Sequence, residues 1–289
     1  MTRAAAALAA ALVLASCTSP SASGPAPAPE TTVLRVVRYL ALGDSYTAGE
    51  GLPPFDMSTP ACHRSEMAFP RLVRVGTTVA TSRACSGATT AHVLEREQHP
   101  GVGRQVDGVS ADTDLVSITV GGNDLGFATV MSECVFGRLP CSRLDDRVEA
   151  VLGGLGTRLE AVYRDVTARA PGARLVVVGY PQLIADPDRV EVDACATLVG
   201  PFSGGLRIDA GEVRWLREKG DRLAAVVRAA ATAVGGAYVD SAAAFAGHEA
   251  CSPDPWVEGV AVPQVALSFH PNATGHAELA RLVSRQAGA

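Results

Sequence analysis

The residues that could do chemistry in this sequence lie in four short polar motifs. These are "GDSYTAGEG" around Ser45, "ACSGATT" around Gly87, "TVGGNDLGF" around Asn123 and "SFHPNATGHAELA" around His270. A serine hydroxyl becomes a good nucleophile when a neighbouring base takes its proton, and the oxyanion that forms then needs hydrogen-bond donors. Histidine can supply the base, while main-chain N–H groups and an asparagine amide can supply the donors. Together the four motifs indicate hydrolysis through a nucleophilic serine.

Each motif also has a purely structural explanation. The serine and the asparagine could serve merely as helix caps, and the glycine could serve merely to form a turn. The histidine could lie on the surface before a helix. Asp44 and Asp124, which flank two of these residues, are interpreted as turn and cap residues. For any one motif the structural explanation is the stronger of the two. The four together, each at the end of a strand or the start of a helix, favour catalysis.

Alternating strand and helix patterns must position these motifs. Five mostly apolar or β-branched stretches predict strands, at Val36 to Leu42, Thr77 to Thr81, Asp114 to Val120, Ala173 to Tyr180 and Gly236 to Asp240. One-sided 3.6-residue periodicity predicts helices from Val148 to Val166, from about Val213 to Val234, and from Ala273 to about Gln286. This alternation predicts an α/β chain, a three-layer α/β/α sandwich around a central five-stranded parallel sheet. The motifs then lie at the carboxyl ends of the strands, where binding loops converge.

The four motifs, in this order, resemble the sequence blocks of the SGNH, or GDSL, hydrolase family. The resemblance extends from about Val36 to the last helix. "GDSYTAGEG" is similar to the first block, with Tyr46 in place of the usual leucine, and "SGA", "GGND" and "HPN" are similar to the second, third and fifth blocks. The resemblance implies a flavodoxin-like SGNH hydrolase fold and a serine carboxylic-ester hydrolase that needs no cofactor.

The resemblance also implies a role for each residue. Ser45 is the nucleophile and His270 the general base, and the oxyanion hole consists of the Ser45 N–H, the Gly87 N–H and the side-chain amide of Asn123. His270 takes the Ser45 proton as the hydroxyl attacks the ester carbonyl and then returns it to the leaving alcohol, and water repeats these steps to release the acid.

One position departs from the family pattern. Members with a full triad usually have aspartate three residues before the histidine, and Leu267 occupies that position here. A main-chain carbonyl can accept the Nδ1 proton of the histidine instead. In this the sequence resembles actinobacterial secreted lipases and esterases that use a Ser-His dyad. We expect the carbonyl of Ser268 to orient His270, with that of Leu267 as the alternative and Asp240 as a more distant rival.

The N-terminus has the pattern of an export signal. Arg3 is followed by an apolar run from Ala4 to Ala15, which is shorter than the ~20 residues that span a bilayer. It ends in "LASC", which resembles the bacterial lipobox, in which the cysteine, here Cys17, receives a lipid. The alternative is an ordinary signal peptide with Cys17 as a bystander.

We therefore divide the chain into residues 1–16, a lipoprotein signal peptide; 17–32, the lipidated cysteine and a tether rich in Ser, Pro and Ala; and 33–289, the hydrolase domain. The protein is expected on the extracellular face of the cell membrane, held by its lipid anchor. It is secreted if Cys17 carries no lipid.

Six cysteines remain in the domain, and an even number in an exported protein implies disulfides. They are Cys62, Cys85, Cys134, Cys141, Cys195 and Cys251. Six cysteines allow 15 pairings; we predict sequential pairing, because the short loop "VFGRLP" can bring Cys134 and Cys141 together. The three bridges also resemble those of the same actinobacterial group. A zinc site is the alternative, but the sequence has no Cys-x-x-Cys and no paired histidines, so no metal is expected.

Charge and composition restrict the partners. The net charge is −5 with a pI near 5.7, and no run of Lys or Arg offers a surface for nucleic acid. We expect a monomer that acts on an acyl lipid or a small ester. Apolar residues in the long irregular segment from Pro181 to Gly211 favour acyl chains. The alternatives are a glycan O-deacetylase that uses the same site and a non-catalytic envelope-binding lipoprotein.

Overall fold

The computed structural model describes residues 36–136, 139–190, 208–260 and 268–288. The expected signal peptide, Cys17 as the expected lipidation site, and the expected tether lie outside the described residues. So do Cys195 and Leu267.

Five parallel strands form the central sheet, in the order β2-β1-β3-β4-β5. They are β1 (Val36–Gly43), β2 (Thr77–Ser82), β3 (Leu115–Thr119), β4 (Arg174–Val178) and β5 (Ala237–Val239). In register, Tyr39 of β1 pairs with Leu115 of β3, and Leu115 pairs with Arg174 of β4. All five residues of β3 are buried, as expected for a central strand covered on both faces. The predicted five-stranded parallel sheet is confirmed.

Eight α-helices lie in the described ranges. They are α1 (Ser45–Ala48), α2 (Phe69–Leu72), α3 (Thr90–Leu94), α4 (Phe127–Phe136), α5 (Asp145–Arg169), α6 (Ala210–Ala233), α7 (Ser241–Ala244) and α8 (Ala273–Ala287). The periodicity predicted α5, α6 and α8, the three longest. Among the residues that the structure describes, none of the helices combines the length and the apolar content that a bilayer crossing requires.

Two apolar clusters cover the two faces of the sheet, because alternate residues of each strand point to opposite faces. Leu40 and Leu42 of β1 pack with the buried side of α5 and α6 in one cluster. Tyr39 and Ala41 pack with α8 and α2 in the other. The result is the three-layer sandwich expected from the sequence.

Three of the four motifs follow the carboxyl ends of neighbouring strands β1, β2 and β3. The turn after β1 depends on Gly43, whose φ is +131° and whose hypothetical Cβ would lie 2.2 Å from the Thr119 carbonyl oxygen. This close approach lets the Asp44 N–H donate to the same carbonyl at 2.9 Å. A glycine is therefore required here to join the β1 turn to the end of β3.

The predicted disulfides have different outcomes. The bond between Cys62 and Cys85 is formed, and Cys251 is disulfide-bonded. The predicted bond between Cys134 and Cys141 is wrong for this structure, in which both are buried free thiols. The two side chains nevertheless lie within hydrogen-bond reach, because a hydrogen bond between them raises the pKa of the Cys134 thiol and lowers that of Cys141.

Candidate active site

Ser45 is the first residue of α1, directly after the β1 turn. Asp44 is the N-cap, and its Oδ1 accepts a hydrogen bond from the Tyr46 N–H at 3.0 Å. The interpretation of Asp44 as a cap therefore agrees with the structure, whereas the cap explanation for Ser45 does not. With the capping done by its neighbour, the Ser45 hydroxyl is available for another partner.

That partner is His270, which lies just before α8. Its Nε2 is 2.8 Å from the Ser45 Oγ, and its Nδ1 is 3.1 Å from the Ser268 main-chain carbonyl oxygen. Because a carbonyl can only accept, the Nδ1 atom carries a proton and Nε2 is left as an acceptor for the serine O–H. His270 as a whole is 7% exposed, so bulk water reaches it poorly.

Asp240, the rival for orienting the histidine, is occupied elsewhere. Its Oδ1 caps α7 by accepting from the Ala243 N–H at 3.1 Å, and its other oxygen pairs with Arg228. The geometry therefore favours the Ser268 carbonyl.

Gly87 and Asn123 border the same cleft as Ser45 and His270. Gly87 has a φ of +81°, and within the described residues neither its N–H nor that of Ser45 donates a hydrogen bond. The Asn123 Nδ2 donates one proton to the Ala88 carbonyl at 3.1 Å, which holds the amide plane and leaves its second proton for a ligand. The three residues expected to supply the oxyanion-hole donors, Ser45, Gly87 and Asn123, thus line one cleft.

The loop that carries Gly87 is held by the predicted Cys62–Cys85 disulfide and by further contacts that the sequence did not suggest. Glu50, only 6% exposed, accepts a hydrogen bond from the Ser86 hydroxyl and pairs with His63 at 3.1 Å. The Ser86 N–H donates to the Cys62 carbonyl at 3.1 Å, and the adjacent disulfide joins the same two segments. Glu50 lies in the first motif, so an acidic residue so close to the nucleophile was the available signal.

Tyr180 joins the serine motif to the asparagine motif and was also missed. Its hydroxyl donates to the Asp44 Oδ2 at 2.5 Å and accepts from the Gly122 N–H at 3.0 Å. Burial raises the pKa of the Asp44 carboxyl to about 7, although hydrogen bonds from Tyr180 and Tyr46 act in the opposite direction. A tyrosine two residues after the buried strand β4 was the signal that could have identified Tyr180.

Two other residues near the motifs have structural roles. Asp124 accepts hydrogen bonds from the Thr90 N–H at 3.0 Å and from its hydroxyl at 2.6 Å, which joins the second and third motifs. His276 is fully buried against Phe69, whose N–H donates to its Nδ1 at 3.2 Å. Burial lowers the pKa of His276 to about 3, so it is neutral at ordinary pH.

Two spaces lined mostly by apolar atoms meet at Ser45. One is a cavity of about 80 Å³ that runs between α4, α5 and α6, with Val130, Val148 and Leu216 among its walls. The other is a cleft of about 360 Å³ that is bordered by Gly87, Asn123 and His270. Within the described ranges, no three His, Cys, Asp or Glu residues are placed to hold a metal ion.

An α/β/α sandwich that brings a serine and a histidine into contact beside amide donors has the arrangement that a serine hydrolase requires. The chain belongs to the GDSL-like Lipase/Acylhydrolase family, whose sequence pattern matches residues 41–278. The resemblance seen in the four motifs is confirmed.

Similar proteins of known sequence and structure agree with this. The chain is 35% identical to a lipase of Streptomyces rimosus over 249 residues, which cover 85% of this chain and 84% of the relative. The crystal structure of an extracellular lipase from S. rimosus has a TM-score of 0.71 at 33% identity, over 86% of this chain and 99% of the other. A phospholipase A1 from Streptomyces albidoflavus has the same TM-score and coverage at 34% identity. The protein is a serine ester hydrolase of the GDSL lipase group.

Proposed function

We propose that the protein is an exported lipase or esterase that forms an acyl-enzyme on Ser45, with His270 as general base. The observation that supports this most directly is the chain of contacts from the Ser45 Oγ to His270 Nε2 at 2.8 Å and from Nδ1 to the Ser268 carbonyl at 3.1 Å. It orders the three groups as a nucleophile, a base and an orienting acceptor.

In the first half-reaction, His270 Nε2 takes the hydroxyl proton as the Ser45 Oγ attacks the ester carbonyl carbon. The negative charge moves to the carbonyl oxygen, where the N–H groups of Ser45 and Gly87 and the amide of Asn123 stabilise it. The C–O bond to the alcohol then breaks, and the imidazolium returns its proton to the leaving alkoxide.

In the second half-reaction, water takes the place of the alcohol. His270 removes a proton from it, the hydroxide oxygen attacks the acyl carbon, and the same donors stabilise the second oxyanion. Collapse releases the carboxylic acid, and the proton returns to the Ser45 Oγ. The Ser268 carbonyl orients the ring in both half-reactions through its dipole, without a full negative charge.

The two spaces at Ser45 suit the two parts of an ester. The alcohol must leave and water must reach His270 before the acyl-enzyme can turn over, so the larger cleft, which contains His270, suits the alcohol. The apolar cavity then holds the acyl chain, whose burial there is favourable by about 0.8 kcal/mol per CH₂. The lining of the cavity extends from Ser45 to apolar residues of α4, α5 and α6, farther than a two-carbon acyl group reaches, so the cavity favours acyl lipids and longer esters over the O-deacetylase alternative.

Export and membrane anchoring belong to the same proposal. They rest on the apolar run from Ala4 to Ala15, the "LASC" motif ending at Cys17 and the tether that follows. In the native host, the Cys17→Ala variant should move from the membrane fraction to the medium or remain as an unprocessed precursor. Recovery of wild-type protein without lipid on Cys17 would contradict the anchor while leaving the hydrolase proposal intact.

A fluorophosphonate probe tests the nucleophile. The folded, oxidised protein should become covalently labelled, and Ser45→Ala should abolish the label. Ser132→Ala, which alters another serine of the cleft, is the matched control and should keep it. Absence of label on the wild type would favour the non-catalytic binding protein.

A series of p-nitrophenyl esters tests the acyl cavity, with acetylated sugars as the competing substrate class. Val130→Phe narrows the cavity and should lower kcat/KM for octanoyl and longer esters by about tenfold or more, since several CH₂ groups lose burial. The acetyl ester should change little. Val79→Phe, on an exposed position of β2, is the matched control. Equal loss for all chain lengths, or a preference for acetylated sugars, would contradict the assignment of the cavity to acyl chains.

A further inference from the structure

Tyr46 connects the segment of the nucleophile to the segment of the base. It is the residue after Ser45, and its side chain is buried, with 3% exposed. Its hydroxyl donates a hydrogen bond of 2.5 Å to the main-chain carbonyl of Phe269. Phe269 stands between Ser268, whose carbonyl orients the imidazole, and His270. One side chain therefore joins the two parts of the dyad across 223 residues of sequence.

The segment around Phe269 needs to be held. Phe269 has a φ of +61°, in the left-handed region that residues with a Cβ disfavour. This turn lets the Ser268 carbonyl point back to the His270 ring. The Glu258 main chain pairs with the segment on one side, accepting from the Phe269 N–H at 3.0 Å and donating to the His270 carbonyl at 2.8 Å. The Tyr46 hydroxyl holds the Phe269 carbonyl, a group that this pairing leaves unused.

The Tyr46 ring is itself fixed. Its centroid lies 5.2 Å from that of His270 and 5.1 Å from that of Tyr180, which it meets edge to face. Tyr180 is in turn held by its hydrogen bonds to Asp44 and Gly122. Burial raises the pKa of the Tyr46 hydroxyl far above its usual value, so it remains a donor at any working pH.

We propose that Tyr46 is a positioning residue that sets the separation and orientation of Ser45 and His270 through its hydrogen bond to Phe269. The inference rests on the proposed roles of Ser45 and His270. It also gives a reason for tyrosine at the position where the family usually has leucine, because leucine can fill much of the space but cannot donate to the carbonyl.

Tyr46→Phe removes the hydroxyl and keeps the ring. Because a displacement of about 1 Å in a catalytic group can cost about a hundredfold in rate, kcat should fall by about 10- to 100-fold while KM changes less than about threefold. The rate of labelling by a fluorophosphonate should fall by the same factor. Tyr46→Leu should lose at least as much.

Tyr39→Phe is the matched control. It also removes a buried tyrosine hydroxyl from a hydrogen bond, to the Ser117 hydroxyl at 2.6 Å, but in the middle of the sheet. Both variants should lose thermal stability, and only Tyr46→Phe should lose catalytic rate. A Tyr46→Phe enzyme that keeps kcat and labelling rate within twofold of the Tyr39→Phe enzyme would overturn the proposal.

A measurement on the histidine separates this inference from the proposed function. In protein labelled with ¹⁵N-histidine, the Nδ1 proton of His270 should be visible by NMR in the wild type and in Tyr39→Phe. It should be exchange-broadened or shifted in Tyr46→Phe. An unchanged His270 signal in Tyr46→Phe refutes positioning by Tyr46 even if the wild type hydrolyses no ester, whereas an inactive, unlabelled wild type refutes the proposed function alone.

Discussion

Replacing Asn123 with alanine tests the proposed oxyanion hole most directly. The asparagine amide has two protons, and one of them is committed to the Ala88 carbonyl at 3.1 Å. The other is available to the developing oxyanion. Removal of one such donor typically costs about 2.7 to 4 kcal/mol of transition-state stabilisation, which lowers kcat by about a hundred- to a thousandfold.

The same substitution has a smaller effect on folding, because it also leaves the Ala88 carbonyl without this donor. A typical intramolecular hydrogen bond contributes about 0.5 to 1.5 kcal/mol, so the free energy of unfolding should fall by an amount in that range. The catalytic effect is therefore the larger of the two. KM should stay nearly constant, because the donor stabilises the oxyanion more than the uncharged ester.

Steady-state kinetics on a p-nitrophenyl ester and urea unfolding of the same preparations separate these two effects. Asn123→Asp is the isosteric comparison, since an ionised carboxylate has the same shape but no proton to donate. It should lose at least as much kcat as the alanine variant. If folded Asn123→Ala keeps kcat within tenfold of the wild type, Asn123 is not an oxyanion donor and the reasoning fails.

Three further predictions follow from the geometry. Ser268→Ala should keep activity within about threefold, because the orienting group is a main-chain carbonyl; a loss of a thousandfold or more in its esterase assay would refute this account. Burial lowers the pKa of His276 to about 3, so unfolded chains bind a proton below about pH 6.5 that the folded protein excludes. Stability should therefore fall by up to about 1.4 kcal/mol per pH unit as the pH drops from 6.5 towards 3, and urea titrations should show a shallower slope for His276→Gln. Replacing both Cys62 and Cys85 with alanine opens a loop of 23 residues and should cost about 3 kcal/mol of stability, measured by thermal unfolding; an unchanged Tm would refute it.

The residues that define the chemistry could be identified from the sequence because they lie in short local motifs. Residues adjacent in the sequence specify a turn between a buried strand and a helix, as "GDS" at the end of the apolar β1 shows. The same holds for α5, where seven residues in the predicted range from Val148 to Val166 are buried along one side. Parallel pairing then brings the ends of β1, β2 and β3 to one edge of the sheet, so convergence of the motifs follows from the order of elements.

The pairing of cysteines shows where local reasoning ends. A short loop brings Cys134 and Cys141 into contact, as predicted, but contact between two buried thiols is not a covalent bond. Proximity could be inferred from the spacing. Whether the two sulfur atoms are bonded depends on their geometry in the packed structure, which no spacing reveals.

By itself, the sequence determined the α/β/α class, the four motifs and the serine and histidine that carry the proposed reaction. Only the tertiary structure decided what holds them in place. Tyr180 forms a hydrogen bond with Asp44, 136 residues away in the sequence, and Tyr46 forms one with Phe269, 223 residues away. Phe269 has a left-handed backbone conformation, and its carbonyl is the group that the Tyr46 hydroxyl binds. Such contacts depend on where distant segments meet after packing, so no local pattern of residue types specifies them.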